Sequence, residues 1–172
     1  MQPVVVNASV NRPSADLYRY LLDIASRPEF ADCLFDNFRL TRVASSGVGA
    51  SARFQFGGLR RDRWADSAIV ELEENQLIRE LGSTGRNCRV PLVIEYRLSD
   101  RGHAMTGIEM TIWTEPSKRI DHIREIGQRG WTKRNAAKAL RRLGDILEDV
   151  PRASLGKRPT VAGLDPHYVP NP

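Results

Sequence analysis

The sequence predicts one α+β domain: a curved, seven-stranded antiparallel sheet wraps around a long C-terminal helix, with two short helices after the first strand. Apolar residues alternate with period two in most of the separate short segments predicted as strands between residues 4 and 112, which is typical of half-buried strands. The period becomes helical after Pro116. A chain of 172 residues fits one domain, and 41% apolar residues suffice for one sizeable core.

The N-terminal region combines one strand with two short helices. The alternation over residues 4–10 predicts the strand. A helix follows Pro13, and its expected buried face consists of Leu17, Tyr20, Leu21 and Ile24. A second short helix restarts at residues 26–29, because proline is tolerated in a first helical turn.

Four strands are predicted in the middle of the chain. They cover residues 38–44, 50–56, 64–72 and 77–83. A symmetric turn at residues 73–76 would pair Leu72 with Leu77 and Ala68 with Leu81. The inward face expected from this register consists of Trp64, Asp66, Ala68, Val70, Leu72, Leu77, Arg79, Leu81 and Ser83.

A last hairpin joins residues 92–98 to residues 104–112. If Ser99 pairs with His103, a short loop remains in which Gly102 takes the left-handed conformation. The expected inward face of this hairpin consists of Leu92, Ile94, Tyr96, Leu98, Ala104, Thr106, Ile108, Met110 and Ile112.

The closing helix is predicted over residues 117–149, with Trp131 and Leu140 on its apolar stripe. At about 1.5 Å per residue it would be roughly 50 Å long. Gly127 and Gly130 weaken it locally and would allow a close approach or a kink. Residues 150–172 are rich in proline, glycine and basic residues, so we expect a domain over residues 1–149 followed by an extended or disordered tail.

The composition excludes several classes of protein. No apolar run approaches the roughly 18 residues of a membrane-spanning helix. The N-terminus has no basic segment followed by an apolar one, so we expect no signal peptide and a cytoplasmic location. Cys33 and Cys88 are expected to be free thiols. The histidines (His103, His122 and His167) lack the spacing of metal ligands, so we expect no metal and no cofactor.

Four segments carry a resemblance to a known family. They are residues 6–18, where the first strand runs into the first helix, Gly47, Val48 and Gly49 before the third strand, residues 70–78 in the central hairpin, and residues 131–148 in the closing helix. Together the segments resemble the START/Bet v 1-like (SRPBCC) superfamily with its helix-grip fold, and within it the polyketide cyclase/dehydrase-type bacterial proteins. The likeness covers about residues 3 to 149. Arg79 departs from it, since the family often has an aromatic residue near that place.

The resemblance implies an apolar cavity between sheet and helix that binds a small hydrophobic or aromatic molecule, polyketide- or lipid-like, through few polar groups. The expected lining consists of Phe54, Phe56, Trp64, Tyr96, Thr106, Ile108 and Met110. For cyclase/dehydratase-type proton chemistry, which stays open, Asp66 is a candidate base, Tyr96 a hydrogen-bond donor and Arg79 a partner for a developing anion. Each also has a simpler role, in core packing or in a salt bridge.

Other functions stay open beside this one. The net charge is +5 and the closing helix is basic, which a solvated helix surface explains. The alternative is peripheral contact with an anionic membrane, which would make the protein a lipid or quinone carrier. The absence of aromatic residues among the basic ones argues against a nucleic-acid partner. A protein-interaction module that docks through the tail, and a homodimer, also stay open.

Overall fold

Seven antiparallel strands form one sheet in the computed structural model, which describes residues 1–56, 64–85, 89–116 and 127–149. The strands are β1 (Val4–Val10), β2 (Phe35–Leu40), β3 (Ser51–Phe56), β4 (Trp64–Glu73), β5 (Leu77–Thr84), β6 (Val90–Asp100) and β7 (Thr106–Thr114). Their order across the sheet is β1-β7-β6-β5-β4-β3-β2. The helices are α1 (Ser14–Leu22), α2 (Arg27–Ala31) and α3 (Gln128–Asp149), with a 3₁₀ turn at Ile24–Ser26 between the first two. The predicted fold class is confirmed.

The core lies between the concave face of the sheet and the helices. Helix α3 packs against β1 and α2. The side chains buried in this core from the helices include Leu17, Leu21, Phe30, Ala136, Ala139, Leu140, Leu143 and Leu147. Aromatic rings concentrate at the β2–β3 end, where the ring centroids of Phe35 and Phe54 are 4.7 Å apart. The ring of Trp131, itself half-buried, meets Phe56 edge-on at 6.3 Å.

The central hairpin keeps the predicted pairing only at its open end. Ala68 pairs with Leu81 as expected, but Leu77 pairs with Glu73 instead of Leu72. The turn is therefore one residue shorter than predicted, and Asn75 within it adopts a φ of 59°. A β-bulge at Val70, between Ile69 and Glu71, takes up the extra residue.

The predicted inward face of this hairpin is wrong along its straight part, whereas Leu72, beyond the bulge, packs against the core as predicted. Ala65 and Ile69 are buried, whereas Val70 and Leu81 are 42% and 47% exposed. Trp64, Asp66 and the other residues predicted to face inward on the straight part of β4 therefore lie on the convex face, since successive side chains of a strand point to opposite sides. Both faces of β4 carry apolar residues, so the alternation alone could not choose between them.

The last hairpin has the predicted face but a different register. Ser99 pairs with Gly107 instead of His103, a shift of four residues that preserves the side-chain alternation. The loop is longer than expected because His103 and Ala104 also adopt positive φ angles of 52° and 60°, beside 77° at Gly102. Strand β7 consequently begins only at Thr106.

Helix α3 is shorter than predicted. Gly127 has a φ of +81°, which a right-handed helix cannot contain, so the helix begins at Gln128 and runs for roughly 33 Å. The expected continuous helix from residue 117 is therefore wrong at Gly127, and residues 117–126 and the predicted tail at 150–172 lie outside the described residues. Strand β2 also begins three residues earlier than the predicted strand at 38–44.

Candidate ligand site

A buried ion pair joins the short helices to the concave face of the sheet. Arg27, the first residue of α2, is only 1% exposed. Its Nη2 donates to Oε1 of Glu80 on β5 at 2.9 Å. The Ser67 hydroxyl on β4 donates to the other carboxylate oxygen, Oε2, at 2.8 Å. Both Glu80 oxygens therefore have protein donors, and the pair is neutral as a whole.

The turn before α2 directs Arg27 inward. Asp23 caps the 3₁₀ turn, since its Oδ1 accepts from the amide of Ala25 at 3.1 Å. The Ser26 hydroxyl donates to the carbonyl oxygens of Tyr20 at 3.0 Å and of Asp23 at 2.7 Å. These bonds fix the start of α2 against the end of α1, and the Arg27 side chain that follows is buried in the core.

Tyr96 lies against the guanidinium. The Arg27 Cζ is 4.7 Å from the centroid of the Tyr96 ring and 5.8 Å from that of Phe30, which is the geometry of a cation–π contact. Tyr96 is fully buried on β6, next to Ile78 of β5 across the strand pair. The cation is thus held by one carboxylate and two aromatic rings.

Several polar atoms of this region have no hydrogen-bond partner in the described part of the chain. They are Nε and Nη1 of Arg27, the hydroxyl of Tyr96 and the hydroxyl of Thr132 on α3. A buried polar group without a partner costs about 1–3 kcal/mol, so native proteins keep few of them, and a bound water, ion or ligand commonly completes those that remain. Arg27 and Tyr96 together present unused donors inside a largely apolar core.

Burial and the neighbouring charges fix the protonation states of Tyr96 and Arg27. Burial raises the pKa of the Tyr96 hydroxyl well above its ordinary value, against the opposing effect of Arg27, so the phenol stays protonated. Burial lowers the pKa of Arg27, but Tyr96 and Glu80 outweigh it and the pKa lies above its ordinary value. Both groups therefore act as donors at neutral pH.

Most of the predicted lining lies on the buried face of the sheet. Six of the seven residues are buried there: Phe54, Phe56, Tyr96, Thr106, Ile108 and Met110. Trp64 is the exception. It is half-buried on the convex face, where the Arg53 Cζ lies 5.5 Å from its ring centroid.

The structure does not bring Asp66 and Arg79 together with Tyr96. Asp66 accepts from the Ser83 hydroxyl at 3.2 Å on the convex face. Arg79 donates to Glu95 at 2.7 Å and pairs with Glu71 on that same face. Neither side chain reaches the concave interior, where the described residues place the carboxylate of Glu80 and the guanidinium of Arg27.

Sequence reasoning missed Glu80 and Arg27, which lie on different elements. Ser67 and Glu80 are polar residues on the buried face of the central hairpin, so their pattern favours the opposite face assignment. A signal existed at Arg27, which stands in a short helix where Phe30 and Ala31 are fully buried.

Solved structures of low sequence identity share this architecture. Norcoclaurine synthase from Thalictrum flavum has a TM-score of 0.64 at 10% identity, over 87% of this chain and 95% of that chain. Protein MLL2253 from Mesorhizobium loti has a TM-score of 0.62 at 17% identity, over 87% of this chain and 99% of that chain. The protein has the START/Bet v 1-like fold.

A third START/Bet v 1-like neighbour is longer. DynU16, a protein in the dynemicin biosynthetic locus, has a TM-score of 0.56 at 18% identity, over 87% of this chain and 48% of that chain. The present chain thus spans about half of DynU16. No family model and no curated protein matches the sequence. The START/Bet v 1-like assignment accordingly rests on three-dimensional structure.

Three further features of the described residues concern metals, thiols and membranes. No group of three His, Cys, Asp or Glu side chains there could hold a metal ion. Cys33 is a half-buried free thiol whose Sγ contacts the carbonyl of Asn135 at 3.4 Å, and Cys88 lies outside the described residues. No helix in this part of the chain is long and apolar enough to cross a membrane.

Proposed function

We propose that the protein binds a small hydrophobic or aromatic molecule between the concave face of the sheet and α3. The observation that carries this proposal is the pair of unused donors, Arg27 and Tyr96, inside an apolar core. Ligand sites combine apolar walls with a few placed polar groups, and this interior has that composition. Norcoclaurine synthase and a protein of a biosynthetic locus are among the proteins with this fold, which agrees with a small organic ligand.

Binding is better supported than cyclase/dehydratase-type proton chemistry. Arg27 and Tyr96 could stabilise negative charge on a ligand oxygen, because donors in a low-dielectric site act strongly on developing charge. Proton abstraction also needs a base within hydrogen-bond distance of the ligand. Glu80 is the carboxylate beside Arg27, and both of its oxygens already accept protein hydrogen bonds.

Isothermal titration calorimetry with 2-acetylnaphthalene tests the proposal. We expect binding to the native protein and a clearly weaker Kd in Tyr96→Phe, which removes one donor and keeps the ring. Trp64→Phe is the matched control, since Trp64 lies on the convex face and its replacement should leave the Kd unchanged. No heat of binding to the native protein, or equal losses in both variants, would contradict an interior site.

A carrier that acts at a membrane surface is a second candidate, favoured by the charge pattern of α3. The exposed side chains along most of the helix are basic: Arg129, Lys133, Arg134, Lys138, Arg141 and Arg142. The exposed acids, Asp145, Glu148 and Asp149, follow at the C-terminal end. This order opposes the helix dipole, and like charges such as Arg134 and Lys138 stand four residues apart.

Such a pattern costs helix stability and favours an anionic partner. Arg142 forms an ion pair with Asp32, and Arg129 donates a hydrogen bond to the amide oxygen of Gln2. Lys133, Arg134 and Lys138 have no ion pair among the described residues. Co-sedimentation with phosphatidylcholine vesicles, with and without phosphatidylglycerol, tests this candidate. We expect binding only to the anionic vesicles, and its loss in Lys133→Gln/Arg134→Gln/Lys138→Gln. Equal sedimentation with both vesicle types would exclude it.

A further inference from the structure

The polar groups around Arg27 differ in what they can offer a ligand. Both Glu80 oxygens are occupied by Arg27 and Ser67. The free hydrogen-bonding positions belong to Nε and Nη1 of Arg27 and to the Tyr96 hydroxyl. The guanidinium can only donate, and the phenol donates as readily as it accepts. Two of the three free positions can therefore only donate, so a ligand group that uses all three has to be an acceptor, which a protonated amine is not.

The charge of the site restricts the acceptor further. Arg27 is already neutralised by Glu80 at 2.9 Å, and both side chains are almost fully buried. A carboxylate ligand would bring a second negative charge into a region that holds one cation and one anion. Burying an uncompensated charge is expensive, whereas a neutral carbonyl uses the same donors without adding charge.

We infer that the ligand presents a neutral carbonyl oxygen, as in a ketone or an ester, to Arg27 and Tyr96, and that Glu80 sets the preference for it over a carboxylate. This inference rests on the proposed function, since it names the chemistry of the molecule bound at that site. Glu80 acts through its charge on Arg27, without touching the ligand.

A series of isosteric probes tests the preference in the native protein, without any variant. The probes are 2-acetylnaphthalene, 2-naphthoate and 2-naphthylmethylamine, which share one ring system and differ in the polar group. We expect the ketone to bind at least about tenfold more tightly than the carboxylate and the amine. A carboxylate or amine that binds as tightly as the ketone overturns the inference while leaving the proposed function in place. Failure of all three to bind contradicts the proposed function itself.

Glu80→Gln tests the role of the glutamate. The amide keeps an acceptor for Arg27 and removes the negative charge, so the Kd ratio of ketone to carboxylate should shift by about tenfold toward the carboxylate. Glu95→Gln is the matched control, because it removes a carboxylate from the convex face and should leave the ratio unchanged. An unchanged ratio in folded Glu80→Gln, checked by circular dichroism, overturns the role of Glu80. The native series tests the preference for a carbonyl independently of whether this variant folds.

Discussion

Arg27 and Glu80 form an ion pair across the core, with Nη2 and Oε1 2.9 Å apart and side chains only 2% and 6% exposed. The pair links the start of α2 to the middle of β5. It also holds the guanidinium against the Tyr96 ring, at 4.7 Å from Cζ to centroid. The Glu80 carboxylate thus binds the two buried polar side chains beside it, Arg27 and Ser67.

The first prediction concerns the energetics of this pair. Glu80→Leu leaves a buried cation without its partner and should lower the free energy of unfolding by about 3–5 kcal/mol. Adding Arg27→Met should recover most of that loss, because no charge then remains buried. Urea denaturation of both single variants and the double variant measures the coupling. The control is Arg142→Met, whose exposed ion pair with Asp32 should contribute at most about 1 kcal/mol to stability. The account would be contradicted if the losses of stability in Arg27→Met and Glu80→Leu simply added up in the double variant.

A second prediction separates stability from binding at Tyr96. Its hydroxyl is buried without a partner, so Tyr96→Phe should keep or raise the stability of the ligand-free protein, by up to about 1 kcal/mol, while it weakens ligand binding. Tyr20→Phe should do the opposite, because the Tyr20 hydroxyl donates to Glu29 at 2.6 Å. Thermal denaturation compares the two variants. A large loss of stability in Tyr96→Phe would show that the hydroxyl has a structural role.

Leu140 tests the buried face of α3. It is 1% exposed, so Leu140→Ala should cost about 2–5 kcal/mol through lost burial and the cavity left behind. The neighbouring exposed residue provides the control, since Arg141→Ala should change stability by no more than about 0.5 kcal/mol. Chemical denaturation measures the free energy of unfolding of both variants. Equal losses in Leu140→Ala and Arg141→Ala would mean that another face of α3 packs against the core.

Glu95 gives the protein a defined pH dependence. Burial alone raises the pKa of this carboxyl, but hydrogen bonds from Arg79 and Arg97 outweigh it and hold the pKa below 4.5, its ordinary value. A lowered pKa in the folded state contributes stability that is present above 4.5 and is lost as the pH falls through the folded value. Glu95→Gln should therefore be less stable than the native protein at neutral pH. The difference should shrink in denaturation experiments at decreasing pH below 4.5, and a constant difference would contradict this assignment.

The sequence predicts the fold well and the polar site poorly. Strand alternation places Tyr96 and Met110 on the concave face even though the predicted register is four residues off, because an even shift preserves the face. The same reasoning fails at Asp66 and Arg79. Burial of Ser67 and Glu80 depends on a partner that comes from α2, and no periodicity within the hairpin can reveal that partner.

Methyl NMR on the methionines tests the central claim most directly. The protein has three methionines, and Met110 is fully buried beside Tyr96 on the concave face, whereas Met105 is 38% exposed in the loop before β7. With ¹³C-methyl-methionine protein and 2-acetylnaphthalene, we expect a saturable shift of the Met110 methyl and nuclear Overhauser contacts from it to the naphthyl ring, with Met105 unchanged. A saturable shift at Met105 without a response at Met110 would place the ligand on the surface and contradict an interior site.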